Sequence, residues 1–322
     1  MLVTTDAELA VEGLVRLLTL REVGTAHIAV SDAPETDTEM GDSEAQVFIG
    51  ASEKQPHGRV FGGQVLAQGV MAAGLTLDLT PDATPRPIHS LHAYFMRPGD
   101  DTQPIRFAVE RMMDGNSFST RRVHAIQHGR PILAMSASFQ ERAEGMEHQD
   151  PMPSAPDPRG LTELSVALGD LMDRQGIVDE RAEHHLARLR KRAIRQYPVG
   201  SVDPREPATR SSRYQLWMRA AASLPDDQLL TSAILAYASD FQMLTPSLRN
   251  HGVTFFDPRL RVASLDHAMW FHRDASLSDW LLFDLESPSA QSGRALGRGT
   301  VWTEDGRLVA SLAQEGMTRL KA

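Results

Sequence analysis

One order of elements occurs twice along this chain, and that repetition constrains its fold more than any other feature. In the first half a proline-free, Ala-, Leu- and Met-rich segment at 64–77, opened by Gly62 and Gly63, reads as a mostly buried helix. Four segments rich in β-branched and aromatic residues follow at 88–96, 105–113, 118–127 and 132–139, separated by turn-forming stretches at 97–100, 114–116 and 128–131. The second half repeats the outline, with a strand at 214–221, a helix at 226–237 and strands at 261–272, 279–287, 294–303 and 308–317. Two short matches support a duplicated unit. Leu91-His92-Ala93 has a counterpart in Asp266-His267-Ala268, and Gly129-Arg130 has one in Gly306-Arg307 at a similar separation.

A helix followed by an antiparallel meander suits a sheet wrapped around a central helix, because a sheet with one apolar face must bury it. Two such sheets can pair edge to edge and leave an apolar slot between helix and sheet for an alkyl chain. At 322 residues the chain also exceeds what one core usually holds. The expected class is α+β, with four regions. Residues 1–45 form an N-terminal extension with a helix at 6–20 and an acidic, Pro/Gly-broken loop at 31–42. Residues 46–150 form the first unit, and 151–211 a linker that begins with Pro151, Pro153, Pro156 and Pro158. Within it 161–193 reads as helical and 194–211 as irregular, before a second unit at 212–322.

A net charge of −9 argues against nucleic acid as a partner, since phosphate neutralisation needs a basic face. The short basic run at 188–192 follows acidic residues at 179–183 and reads as a solvated helix ordered to suit its dipole, with His184-His185 facing solvent. With no cysteine there is no disulfide, thiolate nucleophile or Cys-ligated metal, which fits a cytoplasmic location. No signal peptide or run of ~20 apolar residues suggests export or a membrane anchor. G-x-S-x-G, H-E-x-x-H, P-loop and G-x-G-x-x-G motifs are all missing, so no metal or nucleotide cofactor is expected.

Seven segments together resemble the type II acyl-CoA thioesterase (TesB-like) family of double-hotdog proteins. They are RVFGGQ at 59–64, HSLHAYFMRPGD at 89–100, DGNSFSTRRV at 114–123, MPSAP at 152–156, YASD at 237–240, DHAMWFHR at 266–273 and QEG at 314–316. The likeness runs from about residue 45 to the end. It implies a tandem hotdog fold, an acyl-CoA substrate, and a catalytic trio of Asp240, Ser264 and Gln314, with Ser264 standing where the family more often has threonine. His89 resembles a histidine placed near the same pocket.

Those residue types suit thioester hydrolysis. Asp240 can take a proton from water, while the Ser264 hydroxyl and Gln314 amide can hold that water, since neither titrates near neutrality. A nucleophilic Ser264 calls for an adjacent histidine and has an aspartate instead. Asp240 acting as a nucleophile stays open. Gln64 and Gln68 on the first helix cannot act as bases, so that half reads as structure and pocket wall. Gly62 and Gly63 expose backbone N–H groups at a helix N-terminus, a candidate site for the substrate carbonyl or pantetheine, and one of Arg121 and Arg122 can face the CoA phosphates. Asp266 and His267, adjacent in a strand, point to opposite faces. Without the resemblance, Asp240 is equally a helix-end carboxylate and Ser264 and Gln314 polar strand-end residues. Two other functions compete, a non-catalytic acyl-CoA-binding module and a hotdog enoyl-CoA hydratase. The hydratase pattern asks for a histidine five residues after the aspartate, where Thr245 stands. Exposed sheet edges point to a homo-oligomer.

Overall fold

The computed structural model describes residues 4–28, 43–77, 83–176, 179–203, 205–206, 210–255 and 257–321; the acidic stretch 31–42 lies outside them. Helix α1 (Asp6–Leu18) starts at Thr5, whose hydroxyl accepts from the Glu8 N–H while Glu8 reaches back to the Thr5 N–H. Strands β1 (Arg21–Ile28) and β2 (Ser43–Gly50) precede helix α2 (Gly62–Gly74). The first meander is β3 (Ile88–Phe95), β4 (Ile105–Asp114), β5 (Phe118–Gln127) and β6 (Arg130–Gln140). Helices α3 (Leu164–Gln175) and α4 (Glu180–Leu189) occupy the linker. The second half runs β7 (Ile194–Pro198), β8 (Arg213–Ala220), α5 (Gln228–Ser239), α6 (Thr245–Asn250), β9 (Leu260–Ser264), β10 (Asp266–Phe271), β11 (Leu281–Gln291), β12 (Arg294–Thr303) and β13 (Leu308–Leu320).

All strands among the described residues join one antiparallel sheet in the order β1-β2-β4-β5-β6-β3-β10-β13-β12-β11-β8-β7, with β9 alongside β13. The order is mirrored about the β3–β10 seam, where Asp266 pairs with Tyr94 and Trp270 with Ser90. The Gly129 and Gly306 turns match as expected, both glycines having positive φ, 69° and 86°. The other expected match fails. His267 is fully buried, whereas His92 stands exposed on the outer face against Trp270. A shift of one residue exchanges the faces of a strand, so Leu91, not His92, occupies the place equivalent to His267.

Helices α2 and α5 lie antiparallel inside the sheet. A Cβ on Gly74 would come within 2.3 Å of Leu229, and one on Gly63 within 2.5 Å of the Tyr237 carbonyl. Such close approach needs glycine, and it lets α2 be buried on nearly every side. Leu66, Val70, Ala233 and Ile234 of the pair meet Phe107, Leu133, Phe283 and Leu281 of the sheet in one core. Each large apolar side chain so buried contributes roughly 1.5–3 kcal/mol. The proline-rich segment runs extended over the outer face of the second half, where the Trp217 indole N–H donates to the Pro156 carbonyl at 3.0 Å and Met152 packs beside Trp302.

Two expectations about strands change. Residues 194–198 form an edge strand rather than irregular chain, with Ile194, Gln196 and Pro198 buried in alternation; the edge position tolerates the terminal proline. The single strand expected at 261–272 is broken at Leu265, which opens the way to the site below.

Candidate active site

Asp240 caps the C-terminus of α5 in a right-handed helical conformation. That end of a helix is its negative pole and disfavours a carboxylate. The N-terminus of α2 faces it from the other half of the molecule, and the Gly63 N–H donates to the carboxylate. A Cβ on Gly62 would stand 2.8 Å from Asp240 Oδ2 and 3.1 Å from the Phe95 ring, so a glycine there is what allows the approach.

The break at Leu265 delivers the second group. Ser264 pairs with Gly316, whereas Ala268 pairs with Ala313, so β9 and β10 follow β13 in registers that differ by one residue. In an unbroken strand residues 264 and 267 face opposite sides; the bulge turns both inward. Ser264 Oγ lies 3.5 Å from Asp240 Oδ1, and Gln314 Nε2 lies 2.6 Å from Ser264 Oγ. Gln314 also donates to the Asp240 carboxylate. Burial is graded: Gln314 is 1% exposed, while Ser264 and Asp240 are half-buried. Burial raises the Asp240 carboxyl to about 6, against the lowering effect of its Gln314, Gly63 and Ser264 hydrogen bonds. A carboxylate of that basicity, partly open to water and bordered by a hydroxyl and an amide, can take a proton from a bound water near neutral pH.

A family model described as acyl-CoA thioesterase matches residues 192–317, and one described as acyl-CoA thioesterase N-terminal domain matches 51–140. Acyl-CoA thioesterase 2 of Haemophilus influenzae is 34% identical over 275 residues, covering 85% of this chain and 92% of that one. The chain belongs to the acyl-CoA thioesterase family. Within the family it is also similar to human acyl-coenzyme A thioesterase 8, 33% identical over 86% of each chain. The solved structure of acyl-CoA thioesterase II TesB2 from Mycobacterium marinum superposes with TM-score 0.69 at 35% identity, covering 96% of this chain and 98% of that one. A hot dog fold protein from Alicyclobacillus acidocaldarius, 16% identical with TM-score 0.66, shows the same hotdog fold.

In this thioesterase-family chain Asp240, Ser264 and Gln314 come together, and His89 does not join them. His89 Nε2 meets Ser138 Oγ at 2.8 Å and its ring meets Phe118 edge-on. It lies six residues before Phe95 on β3, roughly 20 Å away at ~3.3 Å per residue. The Gly63 N–H, expected to face substrate, is given to Asp240. Arg121 is 1% exposed and committed to Thr76, Met113, Thr120 and Asp114, so it cannot reach a CoA phosphate, while Arg122 projects from the opposite, outer face.

Among the described residues no group of three or more His, Asp or Glu side chains is placed to hold a metal. An open cleft of about 900 Å³, lined by Val11, Val15, Ala222 and Leu224, lies at the far end of α5 from Asp240.

The linker supplies what residue patterns did not reveal. Arg192 is not on a solvated face: its guanidinium lies 4.5 Å over the ring of Phe241, the residue after Asp240, and Phe241 stacks on Phe61. His184 is exposed as expected, but His185 is half-buried, and burial beside Arg192 and Arg188 brings it down to about 4. His267 reaches Gln314 with one ring nitrogen and Ser239 with the other. No motif spacing signals it, because its facing depends on the bulge at Leu265.

Proposed function

We propose that this chain hydrolyses fatty-acyl-CoA to free fatty acid and CoA, with Asp240 as the base that activates water. The carbonyl carbon of the thioester receives the hydroxide, Asp240 holds the proton, and the C–S bond breaks as the tetrahedral oxyanion collapses. The released thiolate takes the proton from Asp240, which restores the carboxylate, and the fatty acid gives its own proton to solvent. Ser264 and Gln314 hold the water against the carboxylate. The observation that carries the reading is the carboxylate itself, raised to about 6 while bonded to the Ser264 hydroxyl, the Gln314 amide and the Gly63 N–H. The same hydrogen-bonding argues against a nucleophilic Ser264, since the nearby His267 ring bonds Gln314 and Ser239 rather than that hydroxyl. Arg192, lying over Phe241 and within the field of Arg188, places positive charge next to Asp240's neighbour, which suits the anionic CoA moiety.

In this reading the fold is a tandem hotdog with units at 46–150 and 212–322, joined by the linker at 151–211 and preceded by an extension at 1–45. The mirrored strand order about the β3–β10 seam supports it. The chain acts in the cytoplasm as a homo-oligomer, to be checked by light scattering on the purified protein. Thiol release from acyl-CoAs of graded length tests the activity. Loss of release in Asp240→Asn with acyl-CoA binding retained supports hydrolysis; binding without turnover in the unaltered chain points to an acyl-CoA-binding module instead.

A further inference from the structure

His267 is a buried titratable group that the hydrolytic reading leaves unused. It is 0% exposed, and its two ring nitrogens have one partner each: Nδ1 lies 2.9 Å from Gln314 Oε1, and Nε2 lies 2.9 Å from Ser239 Oγ. Burial takes the ring to about 4, so it is neutral at working pH and carries a single N–H. Which nitrogen holds that proton is set by the partners.

Asp240 sets the direction of the hydrogen bonds around it. A carboxylate only accepts, so Ser264 and Gln314 must both turn donors toward it. Gln314 then spends its Nε2 on Ser264, at 2.6 Å, and on Asp240, which leaves Oε1 pointing into the core at His267. An amide oxygen only accepts, so His267 must hold its proton on Nδ1. Its Nε2 is then an acceptor for the hydrogen bond of the Ser239 hydroxyl, which also has the Ala236 carbonyl within 2.8 Å. The opposite order is self-consistent only away from Asp240. If Ser239 gave its proton to Ala236 and His267 donated from Nε2, the Gln314 amide would invert and set its oxygen toward Ser264 and the carboxylate.

We infer that His267 is a positioning residue: its Nδ1–H fixes the orientation of the Gln314 amide, so that Ser239, His267, Gln314 and Ser264 form one row of donors ending on Asp240. This rests on the reading of Asp240, Ser264 and Gln314 as the catalytic groups. His267 touches no substrate; it sets the polarity of the amide that does the holding.

Long-range proton–nitrogen correlation spectra of 15N-labelled protein report the tautomer of each histidine, and the His267 signals are identified by their loss in a variant. The expected result is an Nδ1–H neutral ring; an Nε2–H ring overturns the proposal. Kinetics give the second arm. His267→Leu installs the residue found at the equivalent Leu91 and should lower kcat about 100-fold through a misdirected amide, with KM changed by less than about twofold. His267→Asn, whose amide N–H stands near the Nδ1 position, should recover most of that loss. The groups facing Asp240 are Gly62 and Gly63 of α2, Phe95 of β3, Ser264 of β9 and Gln314 of β13, none of them charged. His267 itself faces Ser239 and Gln314. The acid limb of the pH–rate profile therefore reports donation to Asp240 and should move upward in His267→Leu. A Leu variant with unaltered kcat and acid limb, or an Asn variant no better than Leu, overturns the role of His267 while Asp240→Asn stays inactive. Turnover retained in Asp240→Asn overturns the catalytic reading itself. Should His267→Leu fail to fold, the tautomer of the unaltered protein decides.

Discussion

The two halves of the sheet place different chemistry on the same positions. In the first half Ile88 pairs with Phe139 and Leu91 with Ala137, with a register shift after Ile88. In the second half Ser264 pairs with Gly316 and His267 meets Gln314, with the equivalent shift at Leu265. The helix ends correspond too, Leu75 capping α2 and Asp240 capping α5, both in the right-handed helical region. Thus Ile88, Leu91 and Ala137 stand where Ser264, His267 and Gln314 stand across the seam, and the end of α2 that faces them carries no carboxylate among the described residues. One half closes the place with apolar side chains and the other opens it with a hydrogen-bonded row. The scaffold fixes the geometry of the site, including the bulge, and a handful of residues decides whether it can react.

The contrast is sharpest at the carboxylate. If Asp240 is the base proposed above, Asp240→Asn keeps the shape and removes it, and thiol release should fall by roughly 10²–10⁴. Restoring the first-half residue at Gln314, as Gln314→Ala, removes one amide donor and should cost about 10²–10³ in kcat. Full activity in either variant would break the comparison.

The reverse graft tests whether polarity alone makes a site. Leu91→His with Ala137→Gln places a histidine and an amide where Leu91 is 0% and Ala137 1% exposed, with no aspartate at Leu75 to receive them. It should destabilise the protein by about 1–3 kcal/mol, read by denaturant unfolding, and leave kcat unchanged.

Charge gives a subtler difference. Because folding raises Asp240 to about 6, the ionised form is disfavoured in the folded state, and stability is lost as pH rises from the ordinary carboxylate range through about 6. Asp240→Asn should therefore be more stable than the unaltered protein at pH 8, by up to ~3 kcal/mol, and lose this advantage below about pH 4. With Asp240 as the proposed base, activity should run the other way and rise with pH through about 6.

These comparisons also show what the residues alone could reveal. Helices α2 and α5 were legible because proline-free runs of Ala, Leu and Met bury on all sides, and the strands of both meanders because β-branched and aromatic residues lie between turn signals. The edge strand β7 was not, since its arginine, glutamine and proline look like linker and gain strand character only by pairing with β8. The trio came from family resemblance; spacing within this chain links Asp240 to neither Ser264 nor Gln314. His267 stayed hidden because neither Gly nor Pro marks the bulge at Leu265. Without that extra residue the parity of the strand is miscounted; the match of His267 with the solvent-facing His92 rested on the shared His-Ala pair and falls one residue out of register.

The contact between the Gly63 amide and Asp240 crosses from one half to the other, while Phe95 of the first half donates its N–H to the Leu265 carbonyl of the second. Neither half could therefore build this centre alone, because the Gly63 donor and the Asp240 acceptor lie on different sides of the seam. Equilibrium titration with a tight-binding, non-hydrolysable acyl-CoA analogue should count a single occupied centre per polypeptide.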